Sequence, residues 1–339
     1  MKKSDLGKVN QRVIAKKAQV TQATVSLALR NSLLISKEIR NKIQTLAKRL
    51  GYQVNPVVSE LMAHLRHSKE SNFKASIAYL YPRYYGPKTQ LGGYIEGAIS
   101  RAHALGYKID PYCLEKESWG FAKLKKILYS RGIRGVLISP SQDELKMAKL
   151  VRPLISSFPI VLVGFHSQII PVSYVSSDHH SGMMQSLREL EKLGHKRIGF
   201  VANPHFDRKR EGRSTSAYLG YYQLYSKHSA LPILEWDTLD TSLLRKWVQD
   251  YRPDAIICGD GQLEEVLKKM GCTPFPTLST PTWNESQQNS HWSGIDQHPE
   301  QMGSSAVELL LQQIHHPDYE RSFQARGILV EGHWVPQKK

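Results

Sequence analysis

The spacing of hydrophobic positions changes character once along the chain, near residue 74, and the two regimes predict different architectures. From Asn10 to Gly51 apolar residues recur three and four apart in short bursts. Asn10 can cap a first helix whose Ile14 and Ala18 form an inward stripe. Gln19 and Val20 interrupt the pattern. Thr21 then offers a second cap, and Gln22 to Leu29 continue as a helix that turns Val25, Ala28 and Leu29 inward. A third helix starts at Ser36, carries Ile39, Ile43, Leu46, Ala47 and Leu50 at helical spacing, and stops at Gly51. The pattern predicts a helix, a tight turn, a second helix and a third, sharing one small core. Residues 55 to 65, with Pro56 suited to a first helical position, suggest one more helix, too short to be stable alone.

Beyond Lys74 the apolar residues come as continuous runs. ASIAYLY (75–81), GVLISP (135–140), IVLVGF (160–165), RIGFVA (197–202) and AIICGD (255–260) read as buried strands. Residues 93–109 read as a helix running into a further strand, and 121–132, 182–194, 213–227, 241–250 and 263–271 as helices. Strands separated by helices of this length predict parallel sheets with helices on both faces. Ligands of such sheets bind beyond the carboxyl ends of the strands, so the loops after Pro82, Pro140, Gly164, Ala202 and Gly259 converge on a candidate site. The α/β texture is long enough for two lobes with a cleft between them. The expected division is a head at 1–54, a hinge helix and linker at 55–70, and a two-lobed domain at 71–339.

Charge bears on what the head could do. Through Arg66 there are thirteen Lys or Arg against three acids, a net of +10 out of +16 for all 339 residues. Such an asymmetry suits phosphate attraction better than a merely solvated face. Gln22, Ala23, Ser26 and Leu27 point outward on the second helix, short enough for close approach to a DNA major groove. Thr21, Thr24 and Ser26 can bond phosphates, Gln22 can read an adenine edge, and Arg30 adds positive charge at the end of the helix. On spacing alone, a three-helix bundle without a nucleic-acid role stays open.

Composition narrows the remainder. With 40% hydrophobic and 22% charged residues the chain is of the globular class, and it is too long for one core. It contains no apolar run of about 18 residues, and its basic start leads into capped amphipathic helices, so neither a membrane span nor export is expected. Cys113, Cys258 and Cys272 are odd in number and lack a CxxC pair, which fits a reducing, cytoplasmic setting. His179-His180 and His315-His316 are adjacent pairs whose rings diverge, read as surface histidines, and no metal is expected. Cys258 lies in an apolar strand and reads as a structural thiol. Gly92-Gly93 with Gly97 lacks the Gly-Lys-Ser/Thr of a phosphate loop. Neither catalysis nor a cofactor is expected.

The stretches VNQRVIAKKAQVTQATVSLALR, ISKEIRNKI and LAKRLGYQVNP closely resemble the lactose-repressor/galactose-repressor (LacI/GalR) family of bacterial transcription regulators. Further on, LRELEKLGHKRIGFVA, PDAIICGD and SGIDQHPEQMGSSAVELLLQQI resemble that family's sensor, so the likeness covers nearly the whole chain, tightly to about residue 65. It implies a fold: an all-α helix-turn-helix DNA-binding head plus an α/β two-lobed, periplasmic-binding-protein-like (type I) sensor. It also implies partners, namely double-stranded, pseudo-palindromic operator DNA, a small-molecule effector of carbohydrate type, and a second copy in a homodimer. Thr21, Thr24, Ser26 and Ser36 match backbone-contacting hydroxyls, while Gln22, Ala23 and Leu27 match base-reading positions. Asn55 matches the hinge asparagine, and Leu61 a leucine wedged into the minor groove.

Departures from the family pattern are equally specific. Leu27 stands where many members have a guanine-reading arginine, Gln19 replaces the usual turn glycine and Val54 a common proline. Gly164 sits where some members place a ligand-binding acid. Ala217 occupies the place of an arginine, with Arg213 the nearest substitute, and STPTWNES replaces a Gly-Phe/Tyr-Asp stretch near 280. The effector contacts expected are Tyr84, Tyr94, Phe165, Arg213, Asp260, Trp283 and Gln297, of which Asp260 and Gln297 match family cleft positions and the aromatics could stack on sugar faces. Two other functions stay open: a sugar- or solute-binding protein whose head is only an interaction module, and sequence-independent coating of DNA.

Overall fold

Helix α1 (Gln11–Ala18) ends in a turn for which its sequence is poorly suited. Gln19 takes a left-handed φ of 55°, and the Val20 N–H reaches back to the Ala15 carbonyl at 3.1 Å, closing a Schellman motif without the customary glycine. Thr21 caps α2 (Gln22–Leu29): its Oγ1 accepts the Thr24 N–H at 3.1 Å. Ser36 caps α3 (Lys37–Arg49) by accepting the Ile39 N–H at 3.3 Å. Ile14, Ala15, Ala18, Val25, Ala28, Ile43 and Ala47 form the core of this unit. Ile39, expected inside, is 41% exposed. The eight-residue helices α1 and α2, each about 12 Å long, leave the first turn of α3 uncovered.

The computed structural model describes residues 11–29, 35–50, 73–82, 90–114, 120–141, 143–236, 241–283, 292–315 and 324–337, and the chain divides into units Met1–Asn72 and Phe73–Lys339. Asn10, Arg30, Asn55, Leu61, Tyr84 and the helix expected at 55–65 lie outside the described residues, as do the side chains of Gln22, Ala23, Ser26 and Leu27.

The larger unit holds two six-stranded sheets. The first contains β1 (Ala75–Tyr81), β2 (Tyr107–Cys113), β3 (Ile133–Ile138), β4 (Ile160–Val163), β5 (Ser173–Ser177) and, from far along the chain, β11 (Gly327–Val330). They run in the order β11-β5-β4-β3-β1-β2, all parallel. The second contains β6 (Ile198–Ala202), β7 (Leu234–Glu235), β8 (Ala255–Cys258), β9 (Thr277–Trp283), β10 (Trp292–Asp296) and β12 (His333–Val335). Its order is β12-β10-β9-β8-β6-β7, parallel except for the edge strand β12.

Continuous apolar runs become strands because successive side chains enter opposite layers. Ile77 and Tyr79 of β1 pack under α4 (Gln90–Ala104) and α12 (Pro299–His315). Ala78 and Leu80 pack under α5 (Phe121–Ser130) and α6 (Glu144–Val151). In the second lobe α7 (His179–Lys192) and α9 (Arg213–Leu224) cover one face, and α10 (Thr241–Tyr251) and α11 (Leu263–Lys269) the other. A short helix, α8 (Pro204–Lys209), follows β6.

The chain crosses between lobes three times: from β5 into α7, from β10 into α12, and from β11 into β12. These crossings are tied to one another pairwise. The Asp178 N–H donates to the Val330 carbonyl at 2.9 Å, Gln297 Nε2 meets His179 Nδ1 at 3.3 Å, and His333 Nδ1 meets His298 Nε2 at 2.9 Å. No helix among the described residues is long and apolar enough to cross a membrane.

Candidate functional site

Two places carry candidate chemistry, one in each unit. In the head, Thr21 and Thr24 share a hydroxyl contact of 2.8 Å at the start of α2, and exposed Ser36 caps α3. Gln44 Nε2 donates to the Ala28 carbonyl at 2.8 Å, which fixes the end of α2 on α3. The second helix is therefore held at both ends.

In the larger unit a cleft of about 530 Å³ opens between the lobes, lined by Glu144, His166, Gln168 and Ile169 on one side and Pro204, His205, Arg208, Lys209 and Glu235 on the other. These residues come from segments just beyond the carboxyl ends of β3, β4, β6 and β7. The reason is local: Asn203, directly after β6, accepts the N–H groups of His205 and Phe206 at 3.0 and 3.3 Å and starts α8 at the cleft. On the facing side, Ser167 donates to Glu144 Oε1 at 2.5 Å and accepts from Ile169 and Ile170, shaping the loop after β4.

Glu211 spans the lobes at this cleft. It takes a left-handed φ of 58° and accepts from Gln168 at 3.2 Å, with His166 Nδ1 at 3.5 Å and Arg213 Nη2 at 3.1 Å. The hydrogen bonds from Gln168 and Arg213 hold its carboxyl below the ordinary value. Burial works against the charge of Arg213, yet its bonds to Glu211 and Tyr174 raise it above the usual arginine value.

Deeper in, Tyr94, His179, Arg210 and Gln297 come together. The Tyr94 ring covers Gly164, where a Cβ would stand 2.4 Å from Cε2; no side chain fits there, let alone an acid. Burial pushes the Tyr94 hydroxyl up to about 12, partly offset by Arg210. His179 is held well below its ordinary value of 6.5, first by burial and then by Arg210 and Arg213. It is 8% exposed and not the surface histidine expected from sequence, because it opens α7 at a crossing where Gln297 meets it. Gln297 is itself buried and donates to the Pro281 carbonyl at 2.8 Å.

Of the expected effector contacts, Tyr94 and Gln297 share this deep cluster, and Arg213 bridges it to Glu211. Phe165 packs against the first lobe's core, Trp283 is buried at the end of β9, and Asp260 Oδ1 caps its own turn by accepting the Gln262 N–H at 2.9 Å. None of the six described positions is among the residues lining the cleft. Sequence inspection passed over His166, His205, Arg208, Lys209 and Arg210; the run DRKREGR was visible, but nothing local separated its cleft-facing residues from solvated ones. None of the three cysteines is in a disulfide, and burial pushes the Cys258 thiol up to about 12.

Comparison with known proteins puts this geometry in context. Residues 12–55 match the family model described as "Bacterial regulatory proteins, lacI family". The NTD biosynthesis operon regulator NtdR of Bacillus subtilis (strain 168) is 23% identical over 215 residues, 63% of this chain and 61% of that protein. The chain thus spans less than two thirds of that relative's length. Catabolite control protein A of Staphylococcus aureus (strain MRSA252) is 24% identical over 258 residues, 72% of this chain and 71% of that protein. Among solved structures, the transcriptional regulator CelR in complex with cellobiose aligns with a TM-score of 0.59 at 17% identity, over 97% of this chain and 99% of that one. The lac repressor dimer bound to operator and the anti-inducer ONPF aligns at 0.56 and 19% identity, over 98% and 99%. The fold is a helix-turn-helix head joined to a periplasmic-binding-protein-like α/β domain with parallel sheets.

Proposed function

We propose that this chain, a member of the LacI family of bacterial regulatory proteins, is a sequence-specific transcriptional repressor that binds a palindromic operator as a homodimer and answers to a small-molecule effector. The observation that carries this reading is the capped, doubly anchored second helix within residues 12–55, in an N-terminal segment that holds +10 of the chain's +16 through Arg66. Phosphate contacts from Thr21, Thr24, Ser26, Ser36 and Arg30 set the register, and Gln22, Ala23 and Leu27 read base edges. Leu27 offers an apolar surface suited to a thymine methyl where an arginine would select guanine. Asn55 and Leu61 belong to the hinge, with Leu61 as the minor-groove wedge. The division proposed is head 1–54, hinge 55–70 and sensor 71–339.

The effector is a sugar or sugar derivative. A cleft of about 530 Å³ is the size of a small-ligand site, and its lining is polar on both lobes. Arg208 and Lys209, with His166 and His205, line the cleft beside Glu144 and Glu235, and this basic lining favours a derivative carrying an acidic group. A ligand touching both lobes shifts DNA affinity only through its differential affinity for the open and closed arrangements.

The test is to incubate the purified protein with sheared DNA of its source organism at near-physiological salt and sequence what is retained. A few palindromic sites upstream of genes are expected, with retention changed by members of a sugar and sugar-phosphate panel. Even retention across the genome, abolished everywhere by a modest rise in salt, would refute sequence-specific control. Removing residues 1 to 66 should abolish operator binding and leave effector binding intact.

A further inference from the structure

We propose that Asp296, His298 and His333 form a binding site for a divalent transition-metal ion, with zinc the best match, seated on two of the three crossings between the lobes. Asp296 ends β10 and pairs directly with His333 of β12 in the antiparallel register. Residues so paired present their side chains on the same face, with Cβ atoms about 5 Å apart. His298, at the crossing into α12, has a left-handed φ of 51°, and the Asp296 carboxylate stabilises this backbone by accepting the His298 N–H at 2.9 Å. That conformation brings the His298 ring over His333: the centroids lie 4.6 Å apart at 26°, and Nε2 of one stands 2.9 Å from Nδ1 of the other. One candidate ligand atom from each of the three residues lies within 4.8 Å of the others.

Gly332 supports the approach. A Cβ there would fall 2.4 Å from Ile295 Cγ2 and 2.6 Å from the Asp296 carbonyl oxygen, so only glycine lets the β11–β12 crossing come this near to β10.

The donor set decides the class of ion. The facing His333 Nδ1 and His298 Nε2 stand 2.9 Å apart, and an ion between them would take the tautomers in which both turn a lone pair to it, beside the Asp296 carboxylate. Imidazole nitrogen with carboxylate oxygen suits zinc and its neighbours, whereas magnesium and calcium take oxygen ligands. In a tetrahedral zinc site with Zn–N near 2.0–2.1 Å, two ring nitrogens stand about 3.3 Å apart, so the facing nitrogens would part by about 0.4 Å as the rings turn toward the ion. Three protein ligands leave the fourth position to water, and His333 is exposed, which gives the ion a route in. A bound ion would join the β10–α12 and β11–β12 crossings and thereby stiffen the hinge between the lobes.

The full-length chain, with any affinity tag removed and stripped by chelator, would be titrated with zinc chloride by calorimetry, and the metal retained after desalting counted by mass spectrometry. One zinc per chain is expected. His298→Asn keeps a residue that tolerates a left-handed φ but lacks the ring, and His333→Gln keeps polarity; each should weaken binding by more than about a hundredfold, beyond what loss of an outer-shell partner costs. His195→Gln, which alters the separate contact of His195 with Asp254 at 3.5 Å, should leave the titration unchanged. Absence of retained zinc in the unaltered chain would overturn the proposal, as would full-strength binding by the H298N/H333Q chain, which would identify the pair as a simple hydrogen-bonded stack.

Discussion

The same substitution, glycine to alanine, should have opposite signs at two helical positions of the larger unit. Gly93 and Gly97 of α4 and Gly303 of α12 lie where the two helices meet backbone to backbone. A Cβ at Gly97 would stand 1.9 Å from the Glu300 carbonyl oxygen, and one at Gly303 would stand 2.0 Å from the Tyr94 carbonyl oxygen. Ordinary contact begins near 3.4 Å, so α12 would have to retreat by about 1.5 Å, and neither obstacle is a flexible side chain. Overpacking costs roughly 1–3 kcal/mol, and a clash with rigid backbone belongs at the upper end, about 3 kcal/mol, against which alanine returns about 1 kcal/mol of helix propensity. The expected net loss for Gly97→Ala is about 2 kcal/mol. At Gly220 of α9 an added Cβ meets nothing within 4 Å, so Gly220→Ala should gain up to about 1 kcal/mol. Thermal unfolding followed by circular dichroism would show Gly97→Ala melting about 4–8 °C lower and Gly220→Ala about 2–4 °C higher than the parent. Gly97→Ala matching the parent, or both variants falling together, would refute the close-packed interface. Because Glu300 lies two residues beyond His298, the same displacement should also weaken zinc binding at Asp296, His298 and His333.

Three further outcomes follow from local geometry. Gln19→Gly removes the strain of a left-handed non-glycine residue and should stabilise the head by about 1–2 kcal/mol, read from hydrogen exchange of α1–α3 amides; slower exchange is expected, and unchanged exchange would mean the turn is not strained. His179 is held neutral by burial, so above 6.5 it has no effect, and as pH falls from 6.5 the unfolded chain gains a proton that the folded one refuses. Stability should therefore decline below pH 6.5, and His179→Gln should flatten that part of the urea-midpoint profile. Glu211, whose carboxyl is depressed by Gln168 and Arg213, supports the interlobe contact above 4.5 and loses it as pH falls through its lower folded value. At neutral pH Glu211→Gln should open the cleft, increasing the radius of gyration seen by small-angle scattering; an unchanged profile would show that the contact does not restrain the lobes.

How much of this was legible depended on whether the cause was local. The helices of the head follow from caps and apolar spacing within eight to thirteen residues, and Thr21 and Ser36 cap where the spacing places them. Strands β1, β3, β4, β6 and β8 are mostly apolar, rich in Ile, Val, Leu and Ala, and could be read without partners. By contrast β5 (SYVSS), β9 (TLSTPTW) and β10 (WSGID) are polar or small, and only burial between neighbouring strands makes them strands. Their hydroxyls find tertiary partners, as when Ser173 Oγ accepts the Arg326 N–H at 3.1 Å from 153 residues away. Gly294 in β10 looks like a breaker, yet a Cβ there would meet the Thr280 carbonyl oxygen at 2.4 Å. The cleft shows the same division. The loops that border it follow from strand direction, whereas Arg210 and His179 acquire their surroundings only when both lobes are in place.

The three crossings explain why the deep cluster and the histidine pair belong to one device. If the crossings were independent strands, the lobes could shear, twist and close with little coupling between these motions. Instead the Asp178–Val330, His179–Gln297 and His298–His333 contacts link each crossing to the other two. A rotation that moves one must move all three or break a hydrogen bond, at roughly 1 kcal/mol per bond. Closure is thereby favoured along one path and resisted along others. Gln297 and His179 lie beside Arg210 and within the cluster containing Tyr94, so any change that displaces this cluster acts on two crossings at once. An ion at Asp296, His298 and His333 acts on the second and third. Each therefore biases the same hinge. By linkage, zinc should change effector affinity by the same factor as effector changes zinc affinity, and unequal factors would show that the two sites do not share one two-state element.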